Sequence, residues 1–301
     1  MFKSVIIAGF TLSLLLPVAC REETHETGNH LSVAVSILPQ KYFVQKIAGD
    51  SINVTVVVPE GASPATYEPS PSDMRNLSNV KVWFTIGVAF ETPWLPRFTG
   101  SNPDLIIRST IENIERLPID RYNATGYETS PQNLLDSSGS PDPHVWLSPE
   151  LVRRQVAVIA DELCLLDSSG TNKYMANLES FNLEIDSLQQ SIHALLDSSS
   201  SRSFIVFHPA WGYFADEFDL VQIPIETAGS EPSPREMSLL VNYAKENNIL
   251  AIFVSPQFST SSAEAIASEI DAEVVYIDPL ALNWSGNLYY VAECLSGTAG
   301  P

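Results

Sequence analysis

His208 ends a run of four apolar residues in FIVFHPAWGYF (204–214), and a proline follows it at once. An imidazole gains little at the end of a buried strand unless something there uses a nitrogen lone pair. Asp278 sits in the same way in VVYIDPL, and His144 lies in PDPHVWLSP, where two prolines fix the backbone ahead of the ring. In open α/β sheets, ligands bind beyond the carboxyl ends of the strands. Two imidazoles and a carboxylate converging at such an edge suit a zinc-like divalent cation. Each residue also has an ordinary structural explanation, since strand-end histidines are often hydrogen-bonded core groups and Asp-Pro is common turn chemistry. Spacing alone leaves both explanations open. The remaining histidines carry less: His25 and His30 lie in a polar tail, and His193 falls just off an apolar helical stripe and is expected at the surface.

The elements that must position these residues alternate between strand and helix. LSVAVSI (31–37), INVTVVV (52–58) and KVWFTIG (81–87) read as strands, with the helical face of VQKIAG between the first two. LSPELVRRQVAVIADEL reads as a helix with Ser148 as its N-cap and Pro149 at its first position. In the next helix Tyr174, Leu178, Phe181, Ile185, Leu188, Ile192 and Leu195 alternate spacings of four and three, which makes one continuous apolar stripe. FIVF (204–207), ILAIFV (249–254) and EVVYI (273–277) read as fully buried strands of a second α/β set. The fold class is therefore α/β: two lobes with parallel sheets flanked by helices, joined by one long rigid helix. The expected division is a signal peptide at 1–20, a polar tether at 21–30, a first lobe at 31–168, the linking helix at 169–197 and a second lobe at 198–301.

Composition narrows the function classes. The formal net charge is −20, with only 16 lysines and arginines, which excludes a nucleic-acid surface and disfavours an anionic membrane surface. The N-terminus MFKSVIIAGFTLSLLLPVAC has a short positive region and an apolar core too short to span a bilayer comfortably, so it reads as an export signal. It stops at Cys20, which marks a lipoprotein cleavage and lipidation site even though Pro17 replaces the usual leucine. Cys164 and Cys294 then remain, neither in a C-x-x-C pattern, and are expected to be buried thiols.

The chain resembles the solute-binding proteins of bacterial zinc and manganese ABC importers, the cluster A-I or ZnuA/TroA-like family. SILPQKYFVQKIAGD, VPEGASPATYEPSPSD, TIGVAFETPWL, DPHVWLSP, FHPAWGYF, GSEPSP and VYIDPL follow one another across residues 31–288 in the family's order. The resemblance implies two α/β lobes joined by a long helix, with the metal between them. It implies His144, His208 and Asp278 as ligands. His208 stands where manganese members typically carry Glu, so it points to zinc. The family's first histidine, in GASPHxYEP, is Ala65 here, which leaves its place to water or to Glu68. Ser255 replaces a frequent carboxylate, and the His-rich loop of some zinc members is absent from 123–142.

The expected function is that of an exported, monomeric, extracytoplasmic or periplasmic protein lipid-anchored through Cys20. It binds a divalent transition metal, Zn2+ before Mn2+, delivers it to an ABC permease of the inner membrane, and performs no covalent chemistry. The rivals are a manganese or iron carrier, an adhesin of the same fold, and a periplasmic zinc hydrolase, because three ligands plus water is also the layout of catalytic zinc.

Overall fold

Two four-stranded sheets, every ladder parallel, form the frame of the computed structural model, which describes residues 31–119, 140–197, 199, 201–226 and 229–297. The lipidation residue Cys20, the tether histidines His25 and His30, and most of the 123–142 loop lie outside the described residues. The first sheet contains β1 (Ser32–Val35), β2 (Asn53–Val56), β3 (Val82–Thr85) and β4 (Ile106–Ser109), in the order β2-β1-β3-β4. The second contains β5 (Ser203–Val206), β6 (Val221–Pro224), β7 (Ala251–Val254) and β8 (Glu273–Tyr276), in the order β6-β5-β7-β8. Both sheets thus share one winding, and each reverses direction between its first strand and its third. That reversal opens a crevice at the carboxyl ends of β1 and β3, and another at those of β5 and β7.

The central strands are continuous apolar runs because both of their faces are covered: VWFT of β3 is buried throughout. Edge strands differ. EVVY of β8 is exposed at both ends and half-buried between, so the reading of 273–277 as a fully buried strand is corrected: with β7 on one side only, β8 is an edge. β4 and β6 are strands that the apolar pattern did not announce. β4 carries Arg108, and β6 carries Gln222 and ends in Pro224, which an edge strand tolerates because one side of it makes no ladder.

Helices cover the sheets: α1 (Leu38–Ala48), α2 (Pro71–Asn76), α3 (Glu91–Ser101), α4 (Pro149–Leu166), α5 (Thr171–Leu196), α6 (Gly212–Glu217), α7 (Pro234–Glu246), α8 (Ser261–Ile270) and α9 (Trp284–Ser296). α4 starts as expected, with Pro149 first and the Ser148 side chain accepting from Leu151 N. α5 runs 26 residues, roughly 39 Å of rod, without an internal Gly or Pro. Asp167 anchors its approach by accepting from Ser169 N, Gly170 N and the Tyr174 hydroxyl. Tyr174, Phe181, Ile185, Ile192 and Leu196 are its buried face, with Leu178, Leu188 and Leu195 half-buried beside them. That face packs against α1 of the first half, α4 and α9. One hydrophobic core therefore runs from Val33 through Phe181 to Val291 and contains strands of both sheets, while a smaller core lies between β5–β7 and α7–α8.

At the carboxyl edge of the first sheet, Glu91 ties β1 to β3. Its buried carboxylate accepts from the Ser36 hydroxyl at 2.5 Å and from the amides of Ile86 and Gly87, each at 2.8 Å. Burial pushes the Glu91 carboxyl upward, and those three donors and the Arg116 charge oppose the shift. Cys164 and Cys294 are free thiols, each partly buried rather than fully covered.

Candidate metal site

The turn before α4 and the turn after β5 bring two imidazoles together. The rings of His144 and His208 stand 5.2 Å apart, edge to face. Asp142 accepts from both the His144 backbone N–H at 2.9 Å and its ring Nδ1–H at 2.7 Å. Glu226, at the carboxyl end of β6, accepts from His208 Nδ1–H at 3.2 Å. Each ring is therefore held through Nδ1 by a buried carboxylate, and Nε2 is the nitrogen left to bind something else. Phe258 stacks on His208 at 4.4 Å, and Trp146 lies 5.2 Å from His144. Burial drives the His208 ring below its ordinary pKa, and His144 adds to that, while Glu226 opposes it. The ring is neutral near pH 7 and keeps the lone pair that a metal requires.

The two histidine segments are fastened to each other. The Tyr213 hydroxyl, five residues past His208, donates to Asp142 O at 3.1 Å and accepts from Leu117 N at 2.9 Å. Trp146 Nε1 donates to Pro279 O at 2.7 Å, and Trp284 Nε1 donates to Trp146 O at 2.6 Å. The segment around Asp278 is thus pinned beside the His144 turn.

Both rings open into a cavity of about 340 Å3. Its wall also includes Ala65 with its neighbours Ser63 and Pro64, the turn 87–89 after β3, Arg116 and Gln257. Asp278 is half-buried beside this cavity and lines a small hollow with Glu60 and Gly61. Its Oδ1 accepts from Gln257 Nε2 at 2.8 Å and from Leu280 N at 2.9 Å, and Gln257, unlike Asp278, is part of the cavity wall. Glu68 is exposed and is not part of the cavity wall. Among the described residues, no group of three or more His, Cys, Asp or Glu side chains is close enough to hold a metal ion. The structure thus brings His144 and His208 together with Ala65 on the same wall, and keeps Asp278 one hydrogen bond away. His193 is exposed, its ring edge-on to Phe218 at 4.9 Å.

Sequence reasoning did not single out Asp142 or Glu226. Asp142 was in view as part of PDPH, with a carboxylate two residues before the ring as the available signal. Glu226 had none, because β6 itself was unrecognised.

The profile of the ZnuA family, described as the periplasmic component A of a zinc-uptake complex, matches residues 33–292. The manganese-binding lipoprotein MntA of Halalkalibacterium halodurans is 28% identical over 92% of this chain and 90% of its own. The high-affinity zinc uptake system protein ZnuA of Bacillus subtilis is 26% identical over 88% of this chain and 85% of its own. A crystal structure of ZnuA superposes with a TM-score of 0.80 at 42% identity, covering 89% of this chain and 98% of that one.

Proposed function

Because the chain belongs to the ZnuA family, we propose that it is the solute-binding component of an ABC importer that captures Zn2+ and hands it to a membrane permease. The observation that carries this reading is the pair of imidazoles, each fixed through Nδ1 by its own buried carboxylate and open at Nε2. His144 and His208 would be the nitrogen ligands and Asp278 the carboxylate, released from Gln257 as cargo enters. Imidazole nitrogen favours zinc over manganese. Glu68 is a poor stand-in for the missing histidine because it is exposed and off the wall, so a ligand from solvent takes the position facing Ala65. The relatives carry the names of binding and uptake proteins, which weighs against the hydrolase reading. Among the described residues no helix is long and apolar enough to cross a membrane.

Metal identity is checked by thermal shift. A ligand that binds only the folded state raises the melting temperature by mass action. Zinc is expected to raise it more than manganese at equal concentration, and a larger shift with manganese would overturn the zinc assignment. The carboxylate brace gives a second expectation. Glu226→Ala frees the His208 ring to rotate and should cost roughly ten- to a hundredfold in zinc affinity, the range usual for such orienting partners. Glu226→Gln keeps an acceptor for Nδ1–H and should recover most of that loss. Equal affinity for Glu226→Ala and the parent, measured by calorimetry, would show that the brace is dispensable.

A further inference from the structure

The helix that follows His208 grips the segment carrying His144 at both of its ends. Tyr213 and Glu217 stand four residues apart on α6 and so share one face of it. The Tyr213 hydroxyl donates to Asp142 O at 3.1 Å, two residues before His144. The Glu217 carboxylate reaches the other end, where its Oε2 accepts from the Ser148 hydroxyl and from Glu150 N at 3.2 Å. Those donors belong to the N-cap and the first turn of α4, so a carboxylate from another helix meets the positive end of α4. Glu217 Oε1 accepts from Gln189 Nε2 of the rod α5 at 2.7 Å, and Gln189 Oε1 accepts from Arg153 Nη2 at 2.6 Å. α6 is in turn fixed to the turn after β5: Ala210 N donates to His208 O at 2.8 Å, and Trp211 N donates to the buried Gln222 Oε1 at 2.6 Å.

The carboxylate sits there at a cost. Burial pushes the Glu217 carboxyl upward, and its three donors oppose the shift. The Glu150 charge adds to the upward push, and Arg153 pairs with Glu150 and Asp186 rather than with Glu217. A half-buried carboxylate held by neutral donors is a poor source of net stability, but its hydrogen bonds fix geometry. What they fix is the place of α6 against residues 142–150. We propose that Glu217 is a positioning residue for metal capture: with Tyr213 it clamps the His144 segment to the helix after His208, and so sets the spacing of the two imidazoles. Neither Glu217 nor Ser148 is part of the cavity wall, so the clamp acts on a metal only through the rings. The inference rests on the metal-binding reading above and deepens it.

Zinc is titrated by calorimetry into the mature, metal-free chain, at a temperature where circular dichroism shows every variant folded. Glu217→Ala should lose zinc affinity about tenfold, the lower end of the range for partners that orient a ligand. Glu217→Gln keeps an oxygen for the Ser148 hydroxyl and Glu150 N and should recover most of that loss. Ser148→Ala should weaken binding too, and adding it to Glu217→Ala should cost less than the sum of the two, because both break one contact. Leu163→Ala is the control. Leu163 is fully buried near the far end of α4, roughly 22 Å along the helix from Ser148, so this variant should melt lower yet bind zinc like the parent. Parent-like zinc affinity in Glu217→Ala, whatever its melting temperature, overturns the inference while leaving the function standing. An equal loss of affinity in Leu163→Ala overturns it as well, by tracing the effect to stability alone. Where Glu217→Ala does not fold, Ser148→Ala decides, and parent-like binding by that variant sinks the clamp. Failure of the parent to bind zinc overturns the function itself.

Discussion

His208→Ala is expected to weaken zinc binding at least about a hundredfold, or roughly 2.8 kcal/mol. Losing a partner that only orients a metal-bound imidazole costs ten- to a hundredfold, so losing the imidazole should cost no less than the top of that range. His208 is one of two imidazoles facing the cavity, and no further histidine among the described residues lies on the wall to replace it. His144→Ala should behave alike, and Asp278→Ala should weaken binding as a lost oxygen ligand. His193→Ala serves as the control, since that ring is exposed and packs against Phe218. Competition against a zinc chelator of known affinity measures all four. Parent-like binding by His208→Ala would remove the ring from the metal site, and the answer to why it ends a buried strand would have to be structural.

The largest loss of stability is expected from Trp284→Ala. Trp284 is 1% exposed and meets Phe43 at 5.3 Å and Phe181 at 6.1 Å, both edge-on, which joins α1, α5 and α9. Truncating a buried tryptophan costs about 3–5 kcal/mol. The Trp146 carbonyl would lose its indole donor as well, about 1 kcal/mol more. For a chain of this size the melting temperature should fall by roughly 10 °C or more. Trp284→Phe keeps most of the ring packing and loses the hydrogen bond, so its fall should be a fraction of that. A melting temperature within a degree or two of the parent for Trp284→Ala would mean that the aromatic cluster is not a keystone of the core.

What was legible in the sequence follows from what each residue type reveals locally. The central strands and α5 were readable because full or one-sided burial writes a continuous or periodic apolar pattern into consecutive residues. β4 and β6 were not, since an edge strand such as VQIP carries polar residues and a proline without penalty. His208 was conspicuous because it breaks an apolar run. Glu226 is 18 residues further on, and its relation to His208 exists only because β6 pairs with β5 in a parallel register. The Gln257–Asp278 hydrogen bond was hidden for the same reason: it links the ends of β7 and β8 across the sheet edge. Ala65 drew notice only through the family resemblance, because an alanine in a loop announces nothing by itself.

The core that runs along α5 also governs how the molecule comes apart. In many two-part proteins each half owns a separate core, and heat can melt one while the other survives. Here Ile185 and Ile192 on the rod, Val33 and Phe43 on one side, and Phe204 and Trp284 on the other belong to the same apolar cluster. Neither half can unfold without exposing surface that the other half was covering, so losing either removes part of the stability of what remains. Heating therefore acts on both sheets as one cooperative unit. A lesion remote from the imidazoles, at the far end of α5, lowers the population of intact binding sites as surely as one beside them.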